Sequence, residues 1–282
     1  MAESENPRAV DLSVDTGVVA DILTGFLSDC FTKSSAGKAV IGLSGGLDSS
    51  VVSALAVRAL GKERVLGVIM PYRMSAPESR RDAERFADFL DIAAEVVDIT
   101  PMVDAYIPND QENIDLRRGN FAARQRMAVL YDISAREGGL VVGTSNKSEI
   151  LLGYGTIFGD LACAVNPVGD LYKTQLRQLA EALDIPDYIR EKIPTADLVS
   201  GQTDEADLGF TYEEADRLLY LWIDKRYTEE ELIEFGFDHG FIKPVFERVR
   251  RNHFKRVQPL IAKISARTVG HEFRYVWDWS NS

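Results

Sequence analysis

Apolar residues along this chain fall either into short unbroken runs or into stretches where they recur every three or four positions. Residues 39–43 (Ala-Val-Ile-Gly-Leu), 65–70, 94–99 and 140–143 have the length and branched-chain content of buried strands, bounded by turn residues. Residues 15–31, 51–60, 77–90 and 120–136 carry the spacing of helices that bury one face. A polar linker at 33–37 joins the first helix to the first strand. Strands that are apolar throughout are buried on both faces, and here they alternate with helices. The pattern predicts an α/β fold, a doubly wound and mostly parallel sheet with helices on both faces. From residue 173 onward the pattern is helical, with helices expected over 212–222, 228–235 and 242–254 and then an irregular tail. One domain is expected over 1–282, with an α/β core at 13–172 and a helical part at 173–282; residues 1–12 are expected to be disordered. No internal repeat or low-complexity tract is present.

Ligands collect at the carboxyl ends of strands in such sheets. The first strand runs directly into Ser44-Gly-Gly-Leu-Asp-Ser49, where a helix is expected to begin near Asp48. Gly45 and Gly46 can take positive φ and let main-chain N–H groups close on an anion, and the helix adds the positive end of its dipole. The turn is therefore expected to hold polyphosphate oxygens. It is not the common P-loop, which has Gly-Lys-Ser/Thr where this chain has Asp48. A lone aspartate there also reads as a helix cap, but the adjoining glycines and Ser49-Ser50 favour phosphate. Phosphates repel an aspartate unless a cation intervenes, so Asp48 points to Mg²⁺.

Residues 143–149 (Gly-Thr-Ser-Asn-Lys-Ser-Glu) follow the fourth strand directly, so they should open onto the same site. Glu149 has two readings on spacing alone. It completes a cation site with Asp48, or it closes a capping box with Asn146 as the N-cap.

The 282 residues carry a formal charge of −12, which argues against a broad nucleic-acid surface. The two cysteines, Cys30 and Cys163, lie far apart, offer neither a zinc site nor a disulfide framework, and are expected to be buried in a protein of the reducing cytoplasm. No signal sequence and no apolar run approaching a membrane span is present, so neither nucleic acid nor membrane is expected as a partner. No Ser-His-Asp or Cys-His constellation is identifiable.

Ser44-Gly-Gly-Leu-Asp-Ser49 resembles the signature of the ATP pyrophosphatases of the adenine nucleotide α-hydrolase type. Within that group, Gly143-Thr-Ser-Asn-Lys-Ser-Glu-Ile-Leu-Leu-Gly-Tyr154 resembles the matching segment of the NAD synthetases. Gly119-Asn-Phe-Ala-Ala-Arg-Gln-Arg-Met127, Asp170-Leu-Tyr-Lys-Thr174, Ile193-Pro-Thr-Ala-Asp-Leu198 with Gly201-Gln-Thr-Asp-Glu205, and Asn252-His-Phe-Lys-Arg256 with Lys263-Ile-Ser-Ala-Arg267 resemble that family in the same order. The resemblance implies ATP contacts at Gly42, Leu43, Ser44, Gly45, Gly46, Leu47, Asp48, Ser49, Thr144, Lys173 and Thr195. It implies Mg²⁺ on Asp48 and Glu149, Lys173 as the phosphate lysine, and substrate contacts at Asn120, Arg124, Glu149, Lys255 and Arg256. Asp48, Glu149 and Lys173 are then the catalytic set.

The implied reaction is amidation of deamido-NAD by ammonia, driven by ATP through an adenylated carboxylate. It further implies a loop near 201–207 that closes over ATP, and a homodimer with the substrate site shared along residues 120–136. Ile157 and Ala164 stand where many ammonia-using members have the lysine and aspartate that hold the nicotinate end. That feature is similar to the synthetase domain of the glutamine-dependent enzymes. Their glutaminase is not expected ahead of Ser44, which leaves ammonia either free or delivered by a separate glutaminase. The competing readings are a ligase of the same fold acting on another acid such as nicotinate mononucleotide, and a nucleotide-binding module without turnover.

Overall fold

The computed structural model describes residues 10–107, 115–195, 203–257 and 259–269. Expectations for residues 1–9 and for the segment 196–202 fall outside the described residues.

Four strands, β1 (Ala39–Gly42), β2 (Val65–Ile69), β3 (Ala93–Val96) and β4 (Leu140–Val142), form a parallel sheet among the described residues, in the order β3-β2-β1-β4. Ala39 pairs with Val65 on one side and Leu140 on the other, so β1 is central. Around the sheet lie α1 (Thr16–Ser34), α2 (Leu47–Leu60), α3 (Pro77–Leu90), α4 (Thr100–Asp104), α5 (Asp115–Arg136), α6 (Lys147–Leu152) and α7 (Lys173–Ala182). The chain continues through α8 (Asp187–Arg190), α9 (Asp204–Leu208), α10 (Tyr212–Leu219), a π turn at Tyr220–Asp224, α11 (Glu229–Phe235) and α12 (His239–Arg251).

Side chains of a strand alternate between faces, and the cores follow that alternation. Ala39 and Ile41 pack with Leu27 and Phe31 of α1, Val51, Val52 and Leu55 of α2, Phe86 of α3 and Leu176 and Leu179 of α7. Val40, Leu66 and Val68 face Ile99 and Val103 beside and on α4, and Ala122 and Ile133 of α5. Each large aliphatic side chain so buried stabilises the fold by about 1.5–3 kcal/mol. A further core, with Leu152, Tyr172, Tyr212, Leu218, Leu232, Ile242 and Val245, joins α6 to α10, α11 and α12.

Two expectations change. The strand expected over 94–99 is β3, at the edge of the sheet among the described residues, and its side chains are largely exposed. Helix α2 starts at Leu47, in agreement with a helix start near Asp48 in the glycine turn. Neither cysteine is fully buried. Cys30 lies on the flank of α1 beside core-facing Leu27 and Phe31, and Cys163 lies in a loop against Gly143.

Candidate active site

The chain leaves β1 for β2 on one side, while β4 lies on the other. The turns after β1 and β4 diverge there and leave a crevice, the topological switch point of the sheet. It widens into a cavity of about 870 Å³.

The first turn folds around its own serines. Gly46 N–H donates to Ser44 Oγ at 3.2 Å, Ser49 Oγ lies 3.1 Å from Ser44 Oγ, and the Ser49 and Ser50 hydroxyls donate to the Gly46 carbonyl. Gly45 has φ +72°, where a side chain is strained, and a Cβ there would collide with the Ser79 carbonyl of α3. Lys192 Nζ closes the turn from outside, donating to the Gly45 carbonyl at 3.2 Å and to Asp82 at 2.8 Å. Gly46 is the N-cap of α2 and brings no side-chain cap, so the first N–H groups of that helix remain for a ligand at the cavity wall.

The second turn brings both readings of Glu149 together. Asn146 caps α6: its Oδ1 accepts from Glu149 N–H at 3.0 Å, and Glu149 Oε2 accepts from Asn146 N–H at 3.3 Å. The other oxygen, Oε1, lies 3.4 Å from Lys173 Nζ. Lys173 also pairs closely with Asp48 Oδ2, while Asp48 Oδ1 accepts from Asn146 Nδ2 at 2.9 Å. The capping box thus aims Glu149 at the site.

Lys173 is 3% exposed. Burial alone would lower its ammonium, but Asp48 and Glu149 outweigh it and raise it, so Lys173 stays protonated. Burial and the Asp48 charge push the Glu149 carboxyl up to about 8, against the pull of Lys173. Ionising Glu149 beside Asp48 would set two carboxylates against one ammonium and leave the site short of positive charge. Mg²⁺ fits that donor set: it binds hard oxygen through one or two carboxylates and takes its remaining positions from phosphate and water. No cluster of three or more His, Cys, Asp or Glu suited to a metal occurs among the described residues; Asp48 and Glu149 are the pair that could hold the ion.

The cavity wall contains Gly42, Leu43, Ser44, Gly46, Leu47, Asp48, Ser49, Asn120, Thr144, Glu149, Lys173, Thr195 and Lys255. Three expected contacts are absent from it: Gly45, Arg124 and Arg256. Gly45 shapes the turn. Arg256 donates to the Leu151 carbonyl at 2.6 Å and the Val249 carbonyl at 2.9 Å, closing the end of α6 against α12. On α5 the residues lining the cavity are Asp115, Leu116, Asn120, Ala123, Arg126 and Leu130, and Arg124 is not among them. Lys255 donates to the carbonyls of Gly153 and Gly155, each at 2.7 Å, so it braces the loop after α6 as well as lining the cavity. Asn120 accepts from the Thr156 hydroxyl at 2.6 Å. Ile157 and Ala164 do not line the cavity.

Sequence reasoning missed several cavity cations: Arg80, Arg126, Arg177, Arg190, Lys192 and Arg248. Signals existed for some of them. Arg126 belongs to the Arg-Gln-Arg phrase of α5, Arg177 is one helical turn beyond Lys173, and Lys192 directly precedes Ile193-Pro-Thr195. Tyr154 and Asp207, joined at 3.0 Å, also line the cavity.

Residues 19–259 match the model of the NAD synthase family. A protein of Trichlorobacter lovleyi named NH(3)-dependent NAD(+) synthetase is 52% identical over 268 residues, 95% of this chain and 98% of that one. The solved NH3-dependent NAD synthetase from Campylobacter jejuni, in complex with the nitrate ion, superposes with a TM-score of 0.76 at 35% identity, covering 89% of this chain and all (100%) of that one. The NMN synthetase from Francisella tularensis superposes with a TM-score of 0.78 at 31% identity, with the same coverage of 89% and 100%. The fold is thus adenine nucleotide α-hydrolase-like, and the chain belongs to the NAD synthase family.

Proposed function

We propose that the chain is an ammonia-dependent NAD synthetase, a ligase that amidates deamido-NAD and converts ATP to AMP and pyrophosphate. The observation that carries this reading is the placement of Lys173 between Asp48 and Glu149, where the turns after β1 and β4 diverge.

A carboxylate is a poor acceptor for ammonia because its oxygen leaves badly. In the proposed sequence an oxygen of the nicotinate carboxylate attacks the α-phosphorus of ATP, and the bond to the β-phosphate breaks. The N–H groups at the start of α2 and the Lys173 ammonium are set to stabilise the pyrophosphate as its charge develops. Asp48 and Glu149 are the residues that would hold Mg²⁺, which supplies charge neutralisation at the phosphates. Ammonia then attacks the acyl carbon, loses a proton and expels AMP. No side-chain nucleophile is needed. Thr195 and Thr144 on the cavity wall suit contacts to ATP, and Asn120 and Lys255 suit contacts to the acid.

Nicotinate mononucleotide is the competing acid, because a protein described as an NMN synthetase shares the fold. Near-full-length identity of 52% to a relative named for NAD favours the dinucleotide. A homodimer is part of the proposal. It is supported by Arg124 falling outside the single-chain cavity and by the exposed Tyr106, Leu116 and Tyr131 on or beside α5. No helix among the described residues is long and apolar enough to cross a membrane.

The test offers MgATP and ammonia with deamido-NAD or nicotinate mononucleotide and identifies the amide formed. NAD and AMP in equal amounts from deamido-NAD are expected; their absence would reject the reading. Asp48→Asn, Glu149→Gln and Lys173→Met should each lower turnover by about 10²–10³-fold, the range for removing one preorganised electrostatic contact.

A further inference from the structure

The mechanism above makes no use of Asp216, a carboxylate on α10 with 0% exposure. Its Oδ1 accepts from the Ser148 hydroxyl. Its Oδ2 accepts from the amide and the hydroxyl of Thr174, each at 2.9 Å. Ser148 Oγ in turn accepts from the Lys173 amide at 2.9 Å. Ser148 stands next to Glu149 in the first turn of α6, and Lys173 and Thr174 open α7. One buried carboxylate therefore holds the starts of the two helices that carry the proposed metal carboxylate and the phosphate lysine. A buried carboxylate is costly unless donors meet it, and here the donors are the Ser148 and Thr174 hydroxyls and the Thr174 amide at a helix start.

The same helix reaches the other end of the lysine. Tyr212 lies one turn before Asp216 on α10, and the Lys173 ammonium sits 5.5 Å from its ring centroid. Beyond α10, the π turn ends at Asp224, which accepts from Lys147 Nζ at 2.9 Å and the Tyr172 hydroxyl at 2.7 Å. Lys147 and Tyr172 immediately precede Ser148 and Lys173. The helix and its π turn thus grip both helix starts at two points.

We propose that Asp216 is a positioning residue for adenylation, setting the Lys173 ammonium against the Glu149 carboxylate through Ser148 and Thr174. Its kinetic consequence rests on the function proposed above; its geometric consequence does not.

Asp216→Ala strips several hydrogen bonds from a core and endangers folding, so Ser148→Ala and Asp216→Asn carry the test. Ser148→Ala removes the link to the Lys173 amide and leaves Asp216 on Thr174. Asp216→Asn keeps an acceptor for Thr174 but presents no second acceptor to Ser148. The expected result is a fall in kcat of about 100-fold in Ser148→Ala and about tenfold in Asp216→Asn, the scale of a small misplacement of catalytic groups, with KM for ATP changed less than about threefold. In parallel, brief labelling with acetic anhydride, read by mass spectrometry, should rise at Lys173 and at no other lysine in both variants. Folded variants with kcat within about twofold of wild type and unchanged Lys173 labelling would overturn the proposal, as would a rise in labelling spread over all lysines. If the wild-type protein forms no NAD, the proposed function fails, and the positioning role still stands or falls on Lys173 labelling.

Discussion

Asn146 Nδ2 donates to Asp48 Oδ1 at 2.9 Å, so the residue that caps α6 also anchors the carboxylate at the start of α2. One side chain ties the turn after β4 to the turn after β1. Asn146→Ala should lower stability by about 1 kcal/mol, the usual size of a lost N-cap. It should also lower turnover, because Asp48 and Glu149 lose their common reference. Denaturant unfolding and steady-state rates check the two effects separately. A stability loss with unchanged turnover would confine Asn146 to capping.

At Gly45 the backbone has φ +72° and lies against the Ser79 carbonyl, with Lys192 on its own carbonyl. Gly45→Ala combines a left-handed conformation with a collision. A loss of about 1–3 kcal/mol is expected, with ATP binding by calorimetry abolished or much weakened. Gly46 has φ −105°, and a Cβ there would meet the Ser44 hydroxyl at 3.2 Å, a tight contact with a movable side chain rather than with backbone, so Gly46→Ala is the milder control. Equal effects at the two positions would contradict this account of the turn.

Arg256, a substrate contact by resemblance, lies outside the single-chain cavity. Its guanidinium is committed to the carbonyls that end α6 and to Val249. Arg256→Ala should lower the melting temperature and leave KM for the acid substrate near the wild-type value. Lys255, which does line the cavity, should change KM when replaced by Met. A large KM effect from Arg256→Ala without loss of stability would restore it as a substrate contact.

Burial holds the Asp204 carboxyl above its ordinary 3.8, against the pull of Lys173 and of the tyrosine hydroxyls. Because the folded-state value is raised, the group favours folding only while protonated. That contribution is fully present below 3.8 and is lost as pH rises through the folded value. Asp204→Asn keeps an acceptor for the Tyr212 hydroxyl without the charge. The variant should melt above wild type at neutral pH, and the gap should close as pH falls towards 3.8. A gap independent of pH would show that charge is not the cause.

Much was legible along the chain because it depends on near neighbours. Alternation of apolar runs and helical spacing gave the parallel sheet, since strand burial is written into consecutive residues. The Ser44 turn was legible because glycine freedom and a helix start act over a few positions. The capping box at Asn146 and Glu149 was legible for the same reason. Spacing left it competing with the cation reading, whereas the fold gives each oxygen of Glu149 its own partner.

What the tertiary structure decided is which distant side chains meet and which face of an element they occupy. Asp48 and Lys173 lie 125 residues apart, and a parallel sheet with β1 beside β4 is what brings them to one cavity. Periodicity does not say that Arg126 rather than Arg124 faces that cavity, because α5 has packed surfaces on more than one side. It does not distinguish a basic tail that binds substrate from one that closes a helix, because carbonyls and phosphates attract a guanidinium alike. The sequence by itself determined the fold class and the glycine turn after β1, through local hydrogen bonding and burial. The charge balance around Lys173 belongs to the fold, because desolvation and Coulomb interaction depend on distances that chain order does not contain.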